Sequence, residues 1–420
     1  IIYIYINMNV IINLQIINPT IYMLIIIITF FCILKPSSSS LSPPIYPHTT
    51  IEEYLKELQI PLENHYVTTS DGYILNIHRL PNPNATKTIF LQHGILASSW
   101  CWLSSSQYAP AVLLYRQGYE IFLGNNRGNI FSTNHTHFKT DSKEFWNFTF
   151  DDMAHYDLPA MLTYTSKFVR NEEKKMTYIA WSQGTTQFFI LGSDNNNNLL
   201  KNNIDLFIAL SPVAYVKSTK SLLLEAVSKF KLGKILEEYY PYGLFEFGPT
   251  LDTIETFLCK ITFGFVCKIG VDSVCGIADN DSDAQVERLT THFPAGTSAK
   301  DFNHYEQFME KDPAFFGRYD YGEEGNMKEY GMKTPPIYNI SSYFMNTGVK
   351  IAMFRGADDI LVEESDYKLL REKLTDEVIV FENIYPQQSH VTWFVGKPGL
   401  KWLDDMMMVI KKESCNVRIS

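Results

Sequence analysis

Ser182 stands in Tyr178-Ile179-Ala180-Trp181-Ser182-Gln183-Gly184, and its neighbours are the first sign of chemistry. The stretch reads as a short strand that ends on a serine, with small residues two places before it and two places after. A helix-like run, Thr185 to Gly192, follows at once. So tight a strand-to-helix turn leaves no room for bulk at Ala180 or Gly184, and it holds the serine hydroxyl out at the end of the strand. A hydroxyl is a poor nucleophile until a neighbouring imidazole takes its proton. A buried carboxylate must in turn hold that imidazole in the right tautomer. The chain offers both downstream. Gly356-Ala357-Asp358-Asp359 ends one strand candidate, and His390 is the only histidine after those two acids. Serine, acid and histidine therefore occur in the order that acyl-transfer enzymes with a strand-to-helix nucleophile use.

An oxyanion must also be bound. Thr88 to Gln92 reads as a buried strand, and His93-Gly94-Ile95-Leu96 follows it. Gly94 allows the backbone angles that would turn the amide of Ile95 toward a reacting carbonyl. The amide of Gln183, next to the nucleophile, would be the second donor. Taken singly, a five-residue serine turn or a strand followed by glycine is common structural punctuation. Their combination, in this order and on strand ends, gives them meaning. Gly124-Asn125-Asn126-Arg127-Gly128-Asn129 also closes a strand candidate. It lacks the spacing of a phosphate-binding loop, so it is expected to support the site through hydrogen bonds.

The positioning elements follow from periodicity. A short helix is expected near Ile51 to Leu55. A hairpin is expected from His65 to Thr69 and Tyr73 to Arg79 around Ser70-Asp71-Gly72. Further strands are expected at Tyr119 to Leu123, Met176 to Ala180, Asp205 to Leu210, Lys350 to Phe354 and Val378 to Phe381. Helices begin near Asp151 and span Leu400 to Lys412. This alternation predicts an α/β fold with a mostly parallel central sheet flanked by helices. The rhythm stops after Pro212. Leu222, Leu223, Ala226, Val227 and Phe230 have helical spacing and Tyr239 to Phe247 is rich in aromatics, so residues 213–343 are expected to be an inserted, mainly helical cap and lid. Such apolar stripes are most often plain core; over a serine site they would line an acyl pocket. The core is then residues 41–212 and 344–420.

The 420 residues carry a net charge of -10 with no Lys/Arg cluster, which argues against a nucleic-acid partner. Ile21 to Leu34 is almost wholly apolar and is followed by Lys35-Pro36 and Ser37 to Ser40. The run is shorter than the roughly 20 residues of a membrane span. Residues 1–40 are therefore expected to hold a signal peptide, with Met8 and Met23 as available initiators and a membrane anchor as the rival reading. Cys259, Cys267 and Cys275 lie at eight-residue intervals without paired histidines. That is no zinc site, and in a secreted chain it suggests one local disulfide and one free thiol. Sequons at Asn84, Asn134, Asn147, Asn280 and Asn339 agree with a secretory route. Nothing calls for a cofactor or a metal, and oligomeric state is not legible.

With these residues in hand, the chain from about Thr50 to Lys412 resembles the acid lipases of the gastric and lysosomal type and the related sterol esterases. The resemblance rests on Leu91-Gln92-His93-Gly94-Ile95-Leu96-Ala97-Ser98, Gly124 to Asn129, Phe145-Trp146 through Tyr156-Asp157-Leu158-Pro159-Ala160, and Pro294-Ala295-Gly296-Thr297-Ser298. It implies an α/β-hydrolase fold with a cap and lid. It also implies hydrolysis of acylglycerols or steryl esters through an acyl-enzyme, in a secreted or lysosomal protein whose cap meets a lipid surface. By resemblance Ser182 is the nucleophile, His390 the base, Asp359 rather than Asp358 the acid, Ile95 and Gln183 the oxyanion donors, Cys259–Cys267 the cap disulfide and Cys275 a free thiol. Two positions depart from the family pattern. Trp181 stands where a histidine is usual, and Val391-Thr392-Trp393 stands where Leu-Asp-Phe is usual, which removes a carboxylate beside His390. Two other readings stay open: a silent lipid-binding protein with a spoiled serine turn, which Trp181 would support, and an esterase or acyltransferase for other acyl esters with the same triad.

Overall fold

The computed structural model describes residues 50–420 except 173, 194–197, 240, 245–270, 277, 342–346 and 417–420, within one compact unit that runs from Tyr46 to Ser420. The apolar run 21–34 and the pair Cys259 and Cys267 lie outside the described residues. Among the described residues, no helix is long and apolar enough to cross a membrane.

The chain enters through the helix Ile51–Glu57. Thr50 and Glu53 close a capping box there, each side chain bonded to the other's backbone amide. Among the described residues eleven strands follow in chain order: β1 Glu63–Thr68, β2 Tyr73–Leu80, β3 Thr88–Gln92, β4 Glu120–Gly124, β5 Asn134–His135, β6 Met176–Trp181, β7 Ile204–Leu210, β8 Gly243–Leu244, β9 Thr297–Ser298, β10 Lys350–Gly356 and β11 Ile379–Tyr385. Eight of them form the path β1-β2-β4-β3-β6-β7-β10-β11, with β5 at the side of β2. The β1–β2 and β2–β4 pairs are antiparallel, and every pair from β4 to β11 along the path is parallel.

The strands at the centre, β3, β4 and β6, are buried at every residue. They carry apolar side chains on both faces, as a parallel sheet covered on both sides requires. One face packs Phe90, Phe122, Tyr178 and Phe207 under the helix Gln183–Ser193. The other packs Ile89, Leu91, Ile179 and Ile208 with Trp402, Met406 and Ile410 of the last helix, Lys401–Asn416. The helix that begins at Phe150 runs through a π-helical turn at Met153–Asp157 into Leu158–Ser166.

Between β7 and β10 the described residues are mainly helical: Leu222–Lys229, Leu232–Tyr239, Asp283–Leu289, Ala299–Glu310 and Gly322–Tyr330. Glu306 accepts hydrogen bonds from the Gly233 and Lys234 amides, so one helix caps the start of another. Within this mainly helical stretch β8 and β9 also pair antiparallel. Two-residue strands are too short to show an alternation.

Candidate active site

The sheet registers bring several strand ends to one edge. Gln92 lies beside Ala180 and Gly124, and Trp181 beside Leu210. Ligands of open α/β sheets bind outside these carboxyl ends. Ser182 follows β6 at a φ of 52°, the left-handed region, while its own carbonyl accepts from the amides of Thr185 and Thr186 at the start of the next helix. A Cβ on Gly184 would lie 2.8 Å from the carbonyl oxygens of Gln92 and His93, so the elbow needs glycine there.

The structure brings Ser182, His390 and Asp359 together from positions far apart in the chain. Ser182 Oγ lies 2.9 Å from His390 Nε2, and His390 Nδ1 lies 2.8 Å from Asp359 Oδ2. The other carboxylate oxygen, Oδ1, accepts from the amides of Leu361 and Val362, both at 3.0 Å. Burial pushes the Asp359 carboxyl up. The charge and hydrogen bond of His390 and the Val362 amide outweigh it, and the pKa falls below the usual aspartate value. An ionised Asp359 makes Nδ1 the protonated nitrogen and leaves Nε2 to accept from the serine hydroxyl. Asp358 is exposed and takes no part in this chain of bonds.

His93 has a role that its place in a motif did not reveal. Its Nδ1 donates to the Gly94 carbonyl at 2.7 Å, and its Nε2 accepts from the Asn126 amide and Asn129 Nδ2, each at 3.1 Å. Because a trans peptide is planar, holding the Gly94 oxygen points the Ile95 N–H the opposite way. The Gly124–Asn129 loop thus fixes the Gly94–Ile95 peptide, as its polar character suggested. Burial lowers the His93 pKa to about 4 and keeps the ring neutral. The next residue, Leu96, sits at a φ of 58°, and its carbonyl accepts from the Ala295 amide at 2.6 Å. Pro294 to Ser298 therefore reaches the Gly94–Leu96 loop directly. Among the described residues, the amides of Ile95 and Gln183 have no protein acceptor.

The two departures from the family pattern both fall on His390. Trp181 does not come between Ser182 and His390. It is buried, packs edge-on against Phe394, and its Nε1 donates to the His390 carbonyl at 2.8 Å. The carboxylate that Thr392 lacks comes from elsewhere. Asp281 Oδ1 accepts from Thr392 Oγ1 at 2.5 Å, and Oδ2 accepts from Ser389 Oγ at 3.0 Å. Neither arrangement has a local sequence signal.

Cys275 is free and buried, and its carbonyl accepts from the His390 amide. Burial, with Asp359 and Asp281 nearby, pushes its thiol well above the usual range. Of the sequon residues, Asn84, Asn134, Asn147 and Asn339 are exposed. Asn280 is half-buried and its Nδ2 donates to the Pro386 carbonyl at 3.4 Å. Asn147 Oδ1 accepts from Lys300 Nζ.

This strand order, with a serine on a strand-to-helix elbow facing a histidine and an aspartate from later strand ends, defines an α/β hydrolase. Residues 51–106 match the family described as a partial alpha/beta-hydrolase lipase region. Gastric triacylglycerol lipase of Homo sapiens is 33% identical over 368 residues, which cover 83% of this chain and 88% of that protein. Lipase member K of Homo sapiens is 31% identical over 369 residues, covering 84% and 88%. A soluble variant of monoglyceride lipase from Saccharomyces cerevisiae, solved with a substrate analogue, shares the fold with a TM-score of 0.50 at 13% identity, over 89% of this chain and 99% of that one. The chain belongs to the acid lipase family of ester hydrolases.

Proposed function

We propose that the chain hydrolyses lipid esters, acylglycerols or steryl esters, with Ser182 as nucleophile, His390 as general base and acid, Asp359 as the buried acid, and the amides of Ile95 and Gln183 as oxyanion donors. The observation that supports this reading is the unbroken path from Ser182 Oγ through the His390 ring to Asp359 Oδ2, in steps of 2.9 and 2.8 Å.

In the first half-reaction His390 Nε2 takes the serine proton as Oγ attacks the ester carbonyl carbon. The carbonyl π electrons move onto oxygen, where the two amides stabilise the charge by about 3 kcal/mol per donor. The intermediate collapses, the ester C–O bond breaks, and His390 gives its proton to the leaving alcohol. In the second half-reaction His390 takes a proton from water as the water oxygen attacks the acyl carbon; the second intermediate collapses, the acyl C–Oγ bond breaks, and His390 returns the proton to Ser182 Oγ as the carboxylic acid leaves. Asp359 remains ionised throughout and stabilises the imidazolium. No step calls for a cofactor.

The insert between β7 and β10 would be the cap that meets the lipid surface and shapes the acyl site. A secretory or lysosomal destination, with N-linked glycans, a signal segment in residues 1–40 and a Cys259–Cys267 disulfide, completes the proposal. The experiment is a substrate panel across pH: emulsified triacylglycerol, a steryl ester and a soluble short-chain ester, each with wild type and Ser182→Ala. Faster turnover of the emulsified or steryl substrate, lost in the variant, is expected. Turnover of the soluble ester alone would move the chain to the general esterases, and no hydrolysis of any member would favour a lipid-binding protein.

A further inference from the structure

We propose that Trp181 is a positioning residue for His390, which it holds against Ser182 through the histidine's own main-chain carbonyl. The proposal rests on the reading of Ser182 and His390 as nucleophile and base. Trp181 is the last residue of β6 and precedes the serine, so its backbone is fixed by the central sheet through its register with Leu210. Its side chain crosses to a part of the chain 209 residues away and donates from Nε1 to the His390 carbonyl at 2.8 Å. The His390 amide donates to the Cys275 carbonyl at 3.1 Å. Both main-chain polar groups of this buried histidine are therefore tied to neighbouring elements. Those ties set where the ring starts from before it bonds to Ser182 or Asp359.

The indole also meets the third part of the site. A Cβ built on Gly94 would lie 2.9 Å from Trp181 Cε3 and 2.8 Å from Ser182 Cβ, so the oxyanion loop rests directly on the tryptophan and the serine. The indole is edge-on to Phe394 at 4.9 Å and its centroid is 5.3 Å from that of the His390 ring. One side chain thus touches the oxyanion loop and both the ring and the carbonyl of the base. A phenyl ring could fill much of the same space, but it could not donate. The His390 carbonyl would then be buried without that donor. A small misplacement of a reacting group is enough to slow the chemical step.

The test uses the full chain with Trp181→Phe, and a second protein with benzothienylalanine at position 181, which keeps the bicyclic ring and loses only the N–H. Turnover of a soluble short-chain ester is expressed per serine titrated with a fluorophosphonate, so unfolded protein does not enter. The rate constant of phosphonylation is measured separately. Loss of one neutral hydrogen bond predicts a fall of about 3- to 10-fold in kcat and in the phosphonylation rate constant, with KM within twofold of wild type. Per-site constants equal to wild type in the benzothienylalanine protein would overturn the proposal, as would a loss confined to KM. If Trp181→Phe yields no titratable protein, the benzothienylalanine protein decides. Failure of the underlying reading would show differently, as turnover that survives Ser182→Ala.

Discussion

Asp281 and Thr392 meet through a hydrogen bond of 2.5 Å across 111 residues of chain. The same carboxylate accepts from Ser389, so the two residues that bracket His390 and Val391 are clasped to one buried anion. Thr392 Oγ1 also accepts from the Ser389 amide at 2.7 Å, which closes the turn on itself. Charge-assisted bonds of this kind are stronger than neutral ones. Asp281→Ala removes the acceptor and leaves two buried hydroxyls to find others. The expected cost is about 2–4 kcal/mol of unfolding free energy by denaturant titration, together with a fall in kcat larger than any rise in KM. A variant as stable and as fast as wild type would mean that the clasp does not hold the histidine turn.

His93 is expected to matter without touching substrate. His93→Leu removes the donor to the Gly94 carbonyl and the acceptor of two asparagine N–H groups. A loosened oxyanion peptide predicts a fall of about 10- to 100-fold in kcat, somewhat less than the full loss of one donor. KM is expected to change little. Neutral His93 accepts at Nε2, and protonation, with a pKa near 4, would place that nitrogen against two donors. Initial rates should therefore fall reversibly as pH drops below about 4. An unchanged kcat in His93→Leu would remove the residue from the account.

Asp301 gives a pH signature in stability. Its carboxyl is buried, accepts from the Phe150 amide and Thr297 Oγ1, and is raised by burial to about 7. The sign follows from linkage. Between the unfolded pKa near 4 and the folded pKa near 7, the folded state holds a proton that the unfolded state has lost. The contribution of Asp301 is full below that window and declines as pH rises through it, by up to about 1.4 kcal/mol per pH unit. Asp301→Asn removes the titration, so the stability of the variant relative to wild type should rise from pH 4 to pH 7 in denaturant melts. A difference that is flat over that range would contradict the assignment.

Asp359→Asn should leave the fold intact while kcat falls by roughly 10³- to 10⁴-fold, because an amide can no longer fix the histidine tautomer. Asp358→Asn should stay within twofold of wild type, since that side chain is exposed. Equal losses in the two variants would place the acid wrongly.

The sequence carried those parts of the fold and site that are local. Asp-Gly at the hairpin, the all-apolar runs of β3, β4 and β6, and the small residues around Ser182 each encode their own geometry over a few positions. The order of serine, acid and histidine let separate signals support one another. Which aspartate serves was open from spacing alone. The backbone turn favours Asp359, whose carboxylate accepts from the Leu361 and Val362 amides and meets His390 Nδ1. The bond from Trp181 to the His390 carbonyl and the Asp281 clasp were not legible. Each joins residues more than a hundred positions apart, and one of them uses a main-chain acceptor that every residue type has. Trp181 and Thr392 were visible as departures from a pattern, but what each does depends on the partner the fold brings to it.

The central claim is that Ser182 is the nucleophile. It is tested most directly by treating the folded chain with a fluorophosphonate and mapping the labelled peptide by mass spectrometry. A single phosphonate on Ser182 is expected, with loss of ester hydrolysis in step with labelling and no label in Ser182→Ala. Label on a different serine, or undiminished hydrolysis by protein fully modified at Ser182, would contradict it.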